Sequence, residues 1–187
     1  MKKIINVIFY AFIAMLFVFY LFILYIGLYK PNVCIEYKLY YVDKVLQDWT
    51  GYGGLDYNGE KLIFDIEESS YNNLRGDRNW HYANNEIWMT DKECSLYFGN
   101  VKDKIVDISM EIKDVNNVDS IQVLVDGQVL HKINCNSNEE SYKLNLPYTI
   151  KNQDLVRVSF EISKKNKDIE STARLRSIQL KGENNEK

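Results

Sequence analysis

Apolar side chains fall into two regimes along this chain. From Ile4 to Tyr29 they are continuous, with Asn6 the one polar interruption of an apolar or aromatic run. Further along they alternate with polar residues. A run of 26 residues without a polar face predicts a helix solvated by lipid rather than by water. At 1.5 Å of rise per residue it reaches about 39 Å, enough to cross a hydrocarbon core of about 30 Å with some tilt.

The alternating regime predicts strands. In KIVDISMEIK, Val106, Ile108, Met110 and Ile112 share one face while Asp107, Ser109 and Glu111 take the other. SIQVLVDGQVLHKI reads as a hairpin, with Ile121, Val123 and Val125 on one face and Asp126-Gly127 as the turn. SYKLNLPY alternates up to Pro147, which marks a strand end or edge. LVRVSFEIS sets Val156, Val158, Phe160 and Ile162 on one side. RLRSIQLK is a last strand, through either Leu175, Ser177 and Gln179 or the opposite set Arg176, Ile178 and Leu180. IWMT, ECSLYFG and KLIFDIE add shorter strands, and Asn58-Gly59 before KLIFDIE is a hairpin signal. About seven to nine strands with short polar turns predict a mostly-β, antiparallel jelly-roll-like β-sandwich preceded by one N-terminal transmembrane helix.

Two segments break the pattern. CIEYKLYYVDKVLQDWT spaces Ile35, Leu39, Val42, Leu46 and Trp49 at three- and four-residue intervals, which suits a short helix or mixed stalk near the membrane. EESSYNNLRGDRNWHYANNE is polar and rich in turn formers, and reads as a long loop carrying Tyr71, Trp80 and Tyr82. The expected organisation is an anchor at 1–30, a stalk or short helix at 31–50, the sandwich at 51–181 and a charged tail at 182–187.

The apolar run is much longer than the core of a cleaved signal peptide, and its exit GLYKPNVC lacks an A-x-A pattern, so an uncut signal anchor is expected. Cys34 has Val33 before it, not the small residue a lipidation site requires. Lys2 and Lys3 favour a cytoplasmic N-terminus in the cytoplasmic membrane, with everything after Tyr29 extracytoplasmic; Lys30 opposes this mildly.

The chain carries 23 basic and 26 acidic side chains, a formal −3, and no cluster of positive charge. A nucleic-acid surface is not expected. Three cysteines, Cys34, Cys94 and Cys135, are too far apart for a metal knuckle or redox pair. A Cys94–Cys135 bridge is open, but three unpaired thiols in or near the core are the preferred reading.

Candidate chemistry is sparse. Asp77, Glu86, Asp91 and Glu93 are acidic residues near the central loop without a pattern that marks a catalytic pair. His81 and His131 stand 50 positions apart with no zinc spacing, and TGYGG lacks the Walker pattern. No cofactor, metal or catalytic residue is expected, though a membrane-tethered glycan hydrolase stays open. The aromatic and basic residues around the loop, Trp49, Tyr52, Arg75, Arg78, Trp80, Tyr82 and Trp88, say more. Flat rings that stack on sugar C–H faces, beside planar donors and acceptors, are what glycan recognition uses. The alternative places Trp80 and Trp88 in the core and makes the arginines loop braces.

The stretches NWHYANNEIWMT, ECSLYF, IQVLVDGQVL, DLVRVSFEI and RLRSIQL, over roughly residues 79–180, resemble the extracytoplasmic β-sandwich accessory domain attached to bacterial membrane glycosyltransferases and polysaccharide-assembly proteins. Trp80, Glu86 and Trp88 fall where that family places an aromatic–acidic signature, and Asp126 stands where Asn is commoner before the turn glycine. Those sandwiches follow a many-pass membrane domain, whereas one span is seen here, so no catalytic activity carries over.

The resemblance implies an accessory protein of the bacterial cell envelope that recognises a glycan or positions a multi-pass membrane glycosyltransferase. In it Trp80, Tyr82 and Trp88 would stack, while Arg75, Arg78 and Glu86 would contact hydroxyl or charged groups. The alternative is a non-catalytic structural subunit bound to some other polytopic membrane protein.

Overall fold

The computed structural model describes residues 2–29, 33–51, 53–65, 75–90, 93–101, 105–136, 139–150 and 155–182. The chain divides into two compact units, Met1–Cys34 and Ile35–Lys187. The first holds helix α1, Lys2–Tyr29. Its segment Ile4–Leu28 is long and apolar enough to cross a membrane, and all of its residues are exposed.

The second unit is a two-sheet antiparallel sandwich. Its strands are β1 (Leu62–Ile63), β2 (His81–Ala83), β3 (Glu86–Met89), β4 (Cys94–Gly99), β5 (Ile105–Asn116), β6 (Val118–Val125), β7 (Gln128–Asn134), β8 (Ser141–Thr149), β9 (Leu155–Lys164) and β10 (Thr172–Gly182). Six form one sheet in the order β2-β3-β10-β5-β8, with β1 also paired to β10. Four form the other, β4-β9-β6-β7. From β3 onward the chain crosses between sheets repeatedly, which gives the jelly-roll-like character.

The core lies between the sheets. Ile108, Ile112, Leu175 and Ile178 from one meet Leu96, Val123, Val158 and Phe160 from the other, all fully buried. The expected faces of β5, β6 and β9 are the faces observed, because long strands with one dry side fix their own register. Strand β10 follows neither expected set. A bulge between Leu175 and Ser177 opposes Leu175 to Ile112 and Ser177 to Glu111, leaving Arg176 as an extra residue. Leu175, Ile178 and Leu180 therefore all face inward.

Turns follow local chemistry. Asp126 and Gly127, both at positive φ, close the β6–β7 hairpin as expected. Asn84 and Asn85, at φ 52° and 64°, close a second hairpin between β2 and β3 inside the segment read as a loop. Asn58-Gly59 turns the chain without making a hairpin. Tyr57 bonds to Gly99 on β4, whereas Leu62 pairs with Ile178 on β10, so this turn passes from one sheet to the other. At the opposite crossing, between β5 and β6, the Asn117 side-chain amide donates to the carbonyls of Asn166 and Ile169. Its side-chain oxygen accepts from the Asn166 amide, which ties this crossing to the one between β9 and β10.

The outer face of β4 is also dry. Leu46, Leu55 and Tyr97 form a second apolar cluster with Leu39, Tyr40, Val45 and Leu155 packed on it. The described residues between 35 and 57 thus cover β4, beginning with a short helix, α2 (Ile35–Tyr37), that runs into a π-helical turn at Lys38–Val42. Cys34, Cys94 and Cys135 are thiols, none of them in a disulfide. Cys94 and the residue before Cys135 lie on the two edge strands of the four-stranded sheet. Three strand spacings of about 4.8 Å keep those edges too far apart for a disulfide.

Candidate functional site

The six residues singled out by sequence do not converge. Tyr82 opposes Ile87, and both turn toward the core; Trp88 opposes His81, and Glu86 opposes Ala83, on the outer face. Because successive strand side chains alternate, the β2–β3 hairpin sends neighbouring aromatics to opposite sides of the sheet.

On the inner side the residues are structural. Trp80 is only 4% exposed, packs edge-on against Phe160 and donates its indole N–H to the Ser95 carbonyl at 2.9 Å. The Tyr82 hydroxyl donates to the Asp77 carbonyl. Both rings close over Gly76, where a Cβ would stand 2.7 Å from the Tyr82 oxygen and 2.9 Å from Trp80 Cδ1. Arg75 is buried, donates to the Leu55 carbonyl at 2.6 Å and lies over the Tyr57 ring. Burial lowers its pKa, opposed by Tyr57 and Asp56. Arg78 is exposed but donates to the Leu46 carbonyl at 3.1 Å. The two arginines therefore pin Leu46 and Leu55 of the covering segment to the sandwich. Asp77 accepts the amides of Asn79 and Ser95, and burial still raises its carboxyl above the usual range.

The outer face of the six-stranded sheet is different. Trp88 sits half-buried between exposed His81 on β2 and Arg174 on β10, whose guanidinium lies 5.9 Å from its ring centroid. Arg174 pairs with Glu86, and their side chains are only 13% and 12% exposed. Asp114 lies 2.6 Å from Arg174 Nε, close enough for an ion pair but not aligned as a hydrogen bond. Arg176 donates to Asp65 at 3.0 Å and to Glu111 at 3.3 Å, which raises its pKa, through Asp65 first. Lys113 and Lys143 approach Glu111 as well. Beside Arg174 a depression of about 440 Å³ is lined by Lys113, Asp114, Val115, Glu139, Glu140 and Arg174.

This arrangement can offer one flat ring together with fixed donors and acceptors to a polar ligand. Its carboxylates lie against arginines. Among the described residues no group of three or more His, Cys, Asp and Glu could hold a metal ion. Asp91 and Tyr52 lie outside the described residues. Of the residues singled out by sequence, Glu86 and Trp88 lie on this face; Arg174, Asp114 and Asp65, which lie beside them, were not singled out. Their partnership is written in strand register, which no local motif displays.

No family model matches the chain, and no curated protein matches it. Similar solved structures include the CBM36-1 domain of a multidomain xylanase from the hindgut metagenome of Trinervitermes trinervoides, at 8% identity and TM-score 0.43 over 66% of this chain and 98% of that one. Paenibacillus xanthan lyase is similar at 12% identity and TM-score 0.41, over 52% and 10%. The insecticidal crystal protein Cry2Aa is similar at 14% and 0.39, over 53% and 17%. The matched region spans 10% of the xanthan lyase and 17% of the crystal protein. At these scores the likenesses carry no argument about ligands.

Proposed function

We propose that this chain is a membrane-anchored accessory protein of the bacterial cell envelope, holding its sandwich on the extracytoplasmic side to contact a glycan. Trp88 carries the reading. It is the one tryptophan on the outer face of the six-stranded sheet, beside Glu86 and Arg174, and Arg174 in turn lines a polar depression. Its ring would stack on a sugar, and the flanking charges would meet hydroxyl or ionic groups. The apolar helix α1 supports anchoring, and Lys2 and Lys3 before it support a cytoplasmic N-terminus. Anchoring restricts the sandwich to the neighbourhood of the bilayer and raises the effective concentration of weak contacts with a lipid-linked glycan or a multi-pass glycosyltransferase.

The test is binding of the detergent-solubilised chain to an immobilised panel of bacterial envelope polysaccharides. Binding to at least one, weakened about tenfold (about 1.4 kcal/mol) by Trp88→Ala, is expected. Absence of binding across the panel, with stoichiometric co-purification of a multi-pass protein in mild detergent, would install the structural-subunit reading in its place.

A further inference from the structure

The segment that follows the span is inside out. Between Ile35 and Trp49 a carboxylate, Glu36, is 5% exposed, whereas Tyr41 and Val42 are 51% and 56% exposed. Ile35, Tyr37 and Trp49 are exposed beside them. The rings form one continuous group: Tyr37 to Tyr41 at 4.8 Å, Tyr41 to Trp49 at 5.4 Å and Tyr40 to Trp49 at 5.6 Å between centroids. Helix α2 and the π-helical turn after it set this face by packing half-buried Leu39 and Tyr40 against Leu46, Leu55 and Tyr97. Asp43 closes the turn by donating to the Lys38 carbonyl at 2.8 Å. Arg75 and Arg78 hold the following stretch from outside it. The patch is therefore presented by a braced scaffold.

Chain connectivity supplies the occupant. Five residues, 30–34, separate the end of α1 at Tyr29 from Ile35. Even fully extended, six Cα steps reach only about 20 Å. A patch tied that closely to a spanning helix stays within reach of the headgroup layer. Tyrosine and tryptophan are the residues that layer accepts, with rings toward the acyl chains and polar edges toward water. Exposed Lys38 and Lys44 flank the group and are balanced by exposed Asp43 and Asp48, so the rings rather than net charge carry the contact.

We infer that the face made by Ile35, Tyr37, Tyr41, Val42 and Trp49 docks on the lipid headgroup interface and so fixes which side of the sandwich is turned away from the bilayer. This rests on the anchoring part of the proposed function and is independent of the glycan.

The experiment uses the full chain in nanodiscs of phosphatidylcholine and phosphatidylglycerol. An environment-sensitive fluorophore is placed at Val42→Cys, with Cys34→Ser removing the more accessible native thiol. Val129→Cys, at an exposed position on edge strand β7, serves as the reference. Lipid carrying a nitroxide near the headgroup should quench the label at 42 several-fold more than the label at 129. Tyr37→Ser/Tyr41→Ser should bring the two together.

Equal lipid quenching at 42 and 129, with equal access to aqueous iodide, would overturn docking while leaving the anchor standing. That result would also arise if a protein partner were the natural occupant. Failure of the chain to enter nanodiscs at all would overturn the anchor and the docking together. Should the double variant unfold, the comparison between 42 and 129 in the parent still decides.

Discussion

Two sides of one hairpin separate what this chain uses for folding from what it offers outward. Residues 75–82 mix tryptophan and tyrosine with arginine and aspartate, and residues 86–88 hold a glutamate and a tryptophan. On one side Trp80 and Tyr82 close over Gly76, and Arg75 and Arg78 lie along the covering segment. On the other, Trp88, Glu86 and Arg174 lie on an open sheet face. Strand parity decides between them, and composition does not.

The comparison breaks first at the tryptophans. Trp80→Ala should cost about 3–5 kcal/mol in denaturant unfolding, since it removes a buried ring and leaves the Ser95 carbonyl without its indole partner. Trp88→Ala should cost about 1 kcal/mol, the scale of a half-exposed ring over a guanidinium. Equal costs would mean that both rings belong to the core.

Next is the ion pair beneath Trp88. Arg174→Met leaves Glu86 nearly enclosed without its partner and should cost about 3 kcal/mol. The double variant Arg174→Met/Glu86→Leu should recover much of that loss. Additive losses in the double-mutant cycle would show that the two side chains act separately.

A smaller effect belongs to the crossings that bring both sides into register. Asn117→Ala removes three side-chain hydrogen bonds to 166–169 and places alanine at φ 54°. A loss of about 1–2 kcal/mol is expected, because these groups are partly exposed and water replaces some of the bonds.

The smallest effect leaves stability unchanged and sharpens the inner side alone. Burial pushes the Cys94 thiol up to about 12, and its sulfur hydrogen-bonds to the Asn79 carbonyl. With the thiolate as the reactive form, Cys94 in the native protein should resist an aqueous thiol reagent at pH 8 while Cys34, half-buried, reacts first. Mass spectrometry of the singly labelled protein checks the order.

The two-sheet fold was legible where strands are long and one-sided. Strands β5, β6 and β9 each carry three or four alternating apolar residues, enough to state their faces from sequence. Strand β10 was not, because Arg176 is an extra residue that shifts the alternation halfway along. Strand β3 was legible as IWMT, but β2 and its pairing with β3 were hidden by a length of three residues and by an Asn-Asn turn that resembles loop composition. Asn58-Gly59 shows the reverse case, in which a strong local turn signal serves a crossing between sheets. At the site, Glu86 and Trp88 could be picked by residue type. Arg174, 86 positions beyond Trp88, is brought beside it only by cross-strand pairing.

In the proposed function the outward half of this divided stretch binds and the inward half folds. One panel polysaccharide titrated into wild type, Trp88→Ala and Trp80→Phe, with unfolding measured on the same samples, tests it most directly. About tenfold weaker binding with a transition lowered by only a few degrees is expected for Trp88→Ala, and wild-type binding with a lowered transition for Trp80→Phe. Wild-type affinity in folded Trp88→Ala would contradict the proposed function.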